Sequence, residues 1–296
     1  MFSSDKTERR AQIAEIKQCL NENYQLPLVI VRGAGDLATG VIQALSRSGF
    51  PVLALEVENP SAIRRTVAIS EAVYQAKVKV EDVIGVLATK PKEIVTILKE
   101  GFVPVIADSK GEAIPYLTPS IVVDAILAKK NLGTYKKMAS LVIALGPGFQ
   151  APKDAHIVIE TMRGHDLGRL ITSGFAKANT GIPGAIMGRK EERVLRAPVA
   201  GRLIAFREIG DLVEAGDIIA MIETEDLQRV AIKAPFAGLL RGLLPMGYPV
   251  VENFKIGDID PRQAERQNCF TISEKARALG GATLQAIFLE RQRWQK

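Results

Sequence analysis

Gly33, Gly35 and Ala38 stand in G-x-G-x-x-A spacing where the apolar run "LPLVIV" meets a segment of helical periodicity, and Glu56 closes the next apolar run. Glycines at such a turn permit positive φ and close backbone approach. The amides of a starting helix donate to an anion, and a carboxylate one strand later accepts from ribose hydroxyls. The chemistry indicated is nucleotide or phosphate binding by Gly33, Ala34, Gly35, Asp36, Ala38 and Thr39, with Glu56 on a ribose. Arg64 and Arg65 are candidates to neutralise a further phosphate. Two simpler readings stand beside these. Any parallel α/β fold needs small residues where a strand turns into a helix, and either arginine could pair with Glu56 or Glu58 at the surface. Asp36 would repel a phosphate unless it points away or holds a cation.

A second polar cluster, "GPGFQAPKDAHIVIETMRGHDLGRL", begins with Gly146 and Gly148 directly after an apolar run. Ligands of open parallel sheets sit beyond the carboxyl ends of strands, so two glycine loops after two strands could face one crevice. Glu160, Arg163, His165 and Asp166 are the catalytic candidates. Asp166 beside His165 would raise the imidazole pKa toward neutrality and make it a proton donor. The alternative is a loop whose charges, Arg169 included, satisfy one another. His156, at the head of a strand, reads as structural. No HxH, HExxH or Cys/His spacing occurs, so no metal site is expected. In "KIGDIDPR", Lys255 and Arg262 flank Asp258 and Asp260, which reads as a salt-bridged turn docking one part of the chain on another. "NTGIPG" reads as a linker, with a ligand contact from Asn179 or Thr180 left open.

The elements that must position these residues follow from periodicity. "LVIV", "VLALEV", "VKV", "VPVIA", "SIVVDAILAKK" and Leu141 to Leu145 are strand candidates. Leu37, Val41, Ile42 and Leu45 mark one helix, "PKEIVTILKEG" another, and "SAIRRTVAISEAVY" a third. The alternation implies a parallel sheet with right-handed crossovers. Ile13, Ile16 and Leu20 suggest an amphipathic helix before it. After about Glu191 short strands arrive between Gly, Pro and acidic turns, and "APVAGRL" from Ala197 returns as "APFAGLL" from Ala234, 37 residues on. Two such halves would pack together into one small β unit. A helix from Ser273, a Gly-Gly break and a second helical stretch from Ala282 close the chain.

With 296 residues, 47% of them hydrophobic, and a formal charge of +6, this is a globular chain of two or three domains. Lys and Arg are dispersed, so nucleic acid is not an expected partner. No apolar run approaches the ~20 residues of a membrane span, and no secretory core is present near Met1, so a cytoplasmic location without membrane contact is expected. Cys19 and Cys269 are far apart, which argues against a disulfide framework, a thiolate metal site or a persulfide relay.

The repeated "APxAG" element, with Gly210, Val213, Gly216 and Asp217 between its copies, resembles the biotinyl/lipoyl carrier fold. The hairpin "IETEDLQRV" lacks the carrier lysine, so no attached cofactor is implied. The expected fold class is α/β, a Rossmann-like parallel sheet with a second, smaller β barrel-sandwich domain. The expected bounds are 1–26 for a helical extension, 27–190 for the α/β domain, 191–265 for the β domain and 266–296 for a helical segment.

Taken together, "VIVRGAGDLATG", "NPSAIRRTVAISEAVY", "VVDAILAKKN", "VIALGPGF", "VIETMRGHDLGRLI", "NTGIPG", "ERVLRAPVAG" and "KIGDIDPR" resemble the selenium-dependent molybdenum hydroxylase system protein family of bacteria. The first part resembles the Rossmann domain of xanthine dehydrogenase accessory proteins. Only "VENF" before Lys255, where a glycine is expected, departs from the pattern. The resemblance implies an accessory protein for maturation of a molybdenum hydroxylase. Its partners would be the hydroxylase or its maturation proteins and a small-molecule nucleotide, NAD(P) or a cytidine-dinucleotide molybdenum cofactor. A homo-oligomer is compatible with it. Two rivals stand beside it: an NAD(P)-dependent oxidoreductase of a small metabolite with His165 as acid or base, and a non-catalytic docking module for a hydroxylase subunit.

Overall fold

The computed structural model describes residues 2–180 and 184–295. It divides into two compact units: 1–60 with 68–179 and 272–296, and 61–67 with 180–271.

Unit 1 is built in chain order from α1 (Lys6–Asn23), β1 (Val29–Arg32), α2 (Asp36–Arg47), β2 (Val52–Glu56), α3 (Ala72–Gln75), β3 (Lys77–Val80), β4 (Val83–Leu87), α4 (Pro91–Lys99), β5 (Val103–Ala107), α5 (Ile114–Leu117), β6 (Ile121–Asp124), β7 (Leu141–Leu145), β8 (Gln150–Ala151), β9 (Ile157–Ile159), β10 (Leu170–Ile171), β11 (Gly174–Phe175) and α6 (Glu274–Leu289). Its large sheet has nine strands in the order β10-β9-β7-β6-β1-β2-β5-β4-β3. The central strands are short, β-branched and buried on both faces, as parallel strands covered by helices must be. Ile16, Cys19, Ile30, Leu53, Ile94 and Leu98 belong to one core cluster beneath α1 and α4.

The expected Rossmann-like parallel sheet is corrected. Parallel pairing holds from β4 to β9, but β3 runs antiparallel to β4 and β10 antiparallel to β9, so both edges turn back and the sheet is mixed. Hairpin returns of this kind need no crossover helix. The helix expected over "SAIRRTVAISEAVY" is corrected as well. Two 3-10 turns and the four residues of α3 replace it, because Arg64, Arg65 and Thr66 send their side chains to backbone carbonyls of 243, 268, 269 and 271. The Gly280-Gly281 break is absent, and α6 runs through both residues.

Unit 2 contains β12 (Val194–Arg196), β13 (Gly201–Ala205), β14 (Leu212–Val213), β15 (Ile218–Glu223), β16 (Arg229–Lys233), β17 (Gly238–Leu243), β18 (Pro249–Val250) and β19 (Lys255–Asp260). They form two antiparallel sheets, β12-β19-β17-β14 and β16-β15-β13-β18. The two "APxAG" copies lead into β13 and β17, one in each sheet, around a core that includes Leu203, Ile222, Leu240 and Ile259. The biotinyl/lipoyl-like barrel sandwich is therefore corrected to two separate four-stranded sheets, with no ladder joining them among the described residues. "KIGDID" is likewise a strand, β19, and not a turn. Of the linker "NTGIPG", Gly181, Ile182 and Pro183 lie outside the described residues.

Candidate functional site

The strand order of unit 1 reverses between β1 and β6, and in open sheets the crevice beyond that switch point is the usual ligand position. Here the chain fills it. Arg32, at the end of β1, is almost fully buried and pairs with Asp124 of β6 at 3.5 Å. The Thr134 hydroxyl donates to Asp124 at 2.5 Å and accepts from the Arg32 guanidinium. Arg32 also donates to the Leu132 carbonyl at 3.1 Å. Burial pushes the Asp124 carboxyl up, opposed by the Thr134 hydrogen bond and the Arg32 charge.

The first glycine loop closes on this network. Gly33 has φ +97°, and a Cβ there would lie 2.9 Å from the Ala125 carbonyl oxygen. The Ala34 amide donates to the Glu56 carboxylate at 2.8 Å, and the Val57 amide donates to its other oxygen at 2.8 Å. Glu56 thus supplies the anion that this turn holds. Burial pushes its carboxyl upward against those two hydrogen bonds. A pyrophosphate would have to displace it, so these residues do not fit a nucleotide in that cradle. Ala38 and Thr39 are buried within α2, and the Thr39 hydroxyl donates to the Gly35 carbonyl at 2.9 Å and accepts from the Ile69 amide. In the second loop, a Cβ on Gly146 would lie 2.8 Å from Thr161 Oγ1, and one on Gly148 would lie 2.7 Å from Lys130 Cα. Both face the chain itself. Arg64 and Arg65 bind backbone carbonyls within unit 2, whereas Glu56 belongs to unit 1.

Gly35 differs from its neighbours. Its φ is −70° and a methyl group added there would meet open space, so neither backbone nor packing requires glycine. Asp36 follows it in the first turn of α2. Beside them, Ser70 donates its amide to the Ala34 carbonyl at 2.8 Å, and its buried hydroxyl has no hydrogen-bond partner among the described residues.

Sequence spacing did not reveal the cation of this site, Lys275. A Cβ on Gly40 would lie 2.6 Å from the Ala276 carbonyl carbon, and one on Gly280 2.6 Å from the Gly40 carbonyl oxygen and 2.9 Å from Ala44 Cβ. Residues 40 and 44 thus match 276 and 280, so α2 and α6 run the same way and begin at the same end. Both helix starts carry the positive end of a peptide dipole. Lys275, in the first turn of α6, is half-buried there. Desolvation, then Arg163, pushes its ammonium down, while Asp36 and Glu160 pull the other way. A lysine in a helix's first turn opposes the dipole, and that was the available signal.

Glu160 is buried and accepts the amides of Met162 and Lys177, each at 2.8 Å. It staples the loop that follows β9. Lys177 also binds Asp166 at 2.5 Å, and Arg169 reaches Asp166 at 3.1 Å. The Lys177 hydrogen bond holds the Asp166 carboxyl below its usual range. Arg163 pairs with Glu274, and His165 is exposed. His156 Nδ1 accepts the Val142 amide at 2.9 Å at the opposite end of β7, and burial pushes its pKa down. Asn179 and Thr180 are exposed. Among the described residues no group of three or more His, Cys, Asp or Glu is placed to hold a metal ion, and no helix is long and apolar enough to cross a membrane.

No family model matches the chain. It is 51% identical over 262 residues, 88% of its length, to the uncharacterized protein YqeB of Escherichia coli K12 and spans 47% of that relative's length. An aspartoacylase family protein from Mesorhizobium loti is similar at 12% identity, covering 78% of this chain and 84% of that one, with a TM-score of 0.28. A succinylglutamate desuccinylase/aspartoacylase from Rhodobacter sphaeroides follows at 14% identity, 80% and 86% coverage, and a TM-score of 0.27. Scores this low carry no argument about activity. None of these comparisons bears a molybdenum hydroxylase, selenium or carrier-domain name, and the assignment to the selenium-dependent molybdenum hydroxylase system family is corrected. With it go the maturation role, the nucleotide at the Gly33 to Ala38 turn, the NAD(P) oxidoreductase and the hydroxylase docking module. The turn's own occupant, Glu56, is the physical reason for the nucleotide's loss.

Proposed function

We propose that unit 1 binds a small carboxylate-bearing metabolite at the C-terminal edge of its sheet, in the open space at Gly35 between the starts of α2 and α6. The observation that carries this reading is the Gly40–Gly280 contact, which sets two helix starts side by side, with half-buried Lys275 in the first turn of one and within the field of Asp36 in the first turn of the other. Two dipoles and one ammonium favour an anion, and a poorly solvated ammonium gains most from a charge-assisted hydrogen bond. Asp36 tunes the lysine by opposing the desolvation that pushes its ammonium down. Glu160 and Arg163 act as positioning residues, and Asp166 restrains the loop that carries His165.

A second reading makes Lys275 a proton carrier or amine nucleophile. A lysine kept below its ordinary range is the state such chemistry needs.

The reading includes a cytoplasmic location, supported by two buried, unpaired cysteines whose thiols burial pushes up. The test is calorimetric titration of the intact chain with mono- and dicarboxylates. Saturable binding that weakens by about tenfold or more in Lys275→Met is expected. Equal binding by Lys275→Met would remove the lysine from the site, and no saturable binding by the wild type would remove the site itself.

A further inference from the structure

Unit 1 holds a cavity of about 250 Å³ beyond Ile106 and Ala107, the last residues of β5. This is the carboxyl edge of the sheet, where open α/β folds take their ligands. Ser4, Ala107 and Glu112, which line the cavity, are exposed, so it opens to solvent. It shares no residue with the site proposed at Lys275.

The charged groups lining it are the Arg9 guanidinium and the carboxylates of Asp108 and Glu112. The chain holds the guanidinium in place. One terminal nitrogen of Arg9 donates to the carbonyls of Ser3 and Ser4, at 3.0 and 3.3 Å, and its Cζ lies 5.0 Å from the centroid of the Tyr116 ring. Phe2 packs on the same ring with centroids 5.7 Å apart, which keeps residues 2–4 as a wall of the cavity. The other terminal nitrogen and Nε of Arg9 make no hydrogen bond among the described residues. Asp108 is held as well, each of its oxygens accepting one amide, from Glu112 and Ala113, at 2.8 Å. The Glu112 carboxylate has no partner among the described residues, and neither carboxylate pairs with Arg9.

One cavity thus presents a guanidinium with unused donors and, apart from it, two carboxylates. A simple anion would meet the carboxylates, and a simple cation would meet the guanidinium. A molecule carrying both charges satisfies each side, since a guanidinium takes a carboxylate by paired hydrogen bonds and carboxylates accept from an ammonium. The volume lies below the ~300–1,000 Å³ of drug-sized sites, so the occupant is small. We propose that this cavity binds a free amino acid, its carboxylate on Arg9 and its ammonium between Asp108 and Glu112.

The test is calorimetric titration of the intact chain with the common amino acids, followed by the des-amino acid and the amine that match the tightest binder. Saturable binding of at least one amino acid is expected, with each single-charge counterpart weaker by about tenfold or more. It should persist in Lys275→Met and weaken by about tenfold or more in Arg9→Met. Because Arg9 also holds residues 2–4, Glu112→Gln is the second variant, an exposed change that disturbs no wall and should weaken binding by about threefold. The proposal falls if no amino acid binds, if a single-charge counterpart binds as tightly, or if either Arg9→Met or Glu112→Gln titrates like the wild type. Loss of the binding in Lys275→Met would also overturn it, by assigning the amino acid to the other site.

Discussion

Gly40 and Gly280 touch backbone to backbone: a Cβ on Gly280 would lie 2.6 Å from the Gly40 carbonyl oxygen. Gly281, one residue on, meets nothing within 4 Å. The adjacent glycines of α6 should therefore respond to alanine with opposite signs. Gly280→Ala must push the helices apart, at a cost of about 1–3 kcal/mol or more. Gly281→Ala removes backbone freedom from the unfolded chain and should stabilise by about 0.5–1 kcal/mol. Urea unfolding of the two variants measures this directly, and equal midpoints would show that the contact does not constrain the pair of helices.

Arg32, Thr134 and Asp124 predict a strongly coupled trio. Removing one member of a buried ion pair leaves the other charge uncompensated, so Asp124→Ala should destabilise by about 3–5 kcal/mol. Thr134→Val deletes a hydroxyl that bridges the same two groups and should cost about 1–3 kcal/mol. The double variant should cost clearly less than the summed singles, because both losses fall on one network. A double-mutant cycle showing strict additivity would mean that the hydroxyl does not link them.

Much of unit 1 was legible because local pattern and tertiary environment agree. β1, β2, β5, β6 and β7 are buried β-branched runs, and α2 and α4 have one apolar face. What failed lay in long-range contacts. β4, "VIGVL", carries a glycine that weakens its strand signal, yet a Cβ on Gly85 would lie 2.9 Å from Ile69 Cβ, so packing demands it. The expected break at Gly280 assumed that glycine means flexibility, whereas Gly40 makes it a contact. The glycine turn showed its amides plainly, but its occupant, Glu56, was identified only as a residue waiting for a ribose.

Two residues of the turn, Gly33 and Gly35, separate fold from binding. Gly33 combines φ +97° with a near neighbour at 2.9 Å, so Gly33→Ala should be destabilising by about 1–2 kcal/mol from left-handed backbone alone, before any clash. Gly35, at φ −70° with open space, should accept alanine with stability unchanged. If a carboxylate ligand occupies that space, Gly35→Ala keeps the wild-type melting point yet weakens ligand binding. Thermal melting beside calorimetry tests the pair, and undiminished affinity in Gly35→Ala would place the ligand elsewhere.

Lys275 gives stability a pH dependence of definite sign. Its ammonium is held below the ordinary lysine value in the folded chain, foremost by desolvation. Between that lowered value and the unfolded one near ~10.4, the unfolded chain binds more protons, so stability rises with pH through this window. The penalty is fully present below the folded value and is gone above the unfolded one. Lys275→Met has no proton to lose there. Wild-type urea midpoints, measured at steps from neutral pH up to about 10 and compared with those of Lys275→Met, should therefore climb relative to the variant. Bound carboxylate should suppress the climb, because it gives the protonated amine the partner that the folded chain withholds and lifts its pKa back toward the ordinary range. Parallel curves for the two proteins would mean that the ammonium is as well solvated in the fold as in the open chain, and the case for an anion between α2 and α6 would lose its cation.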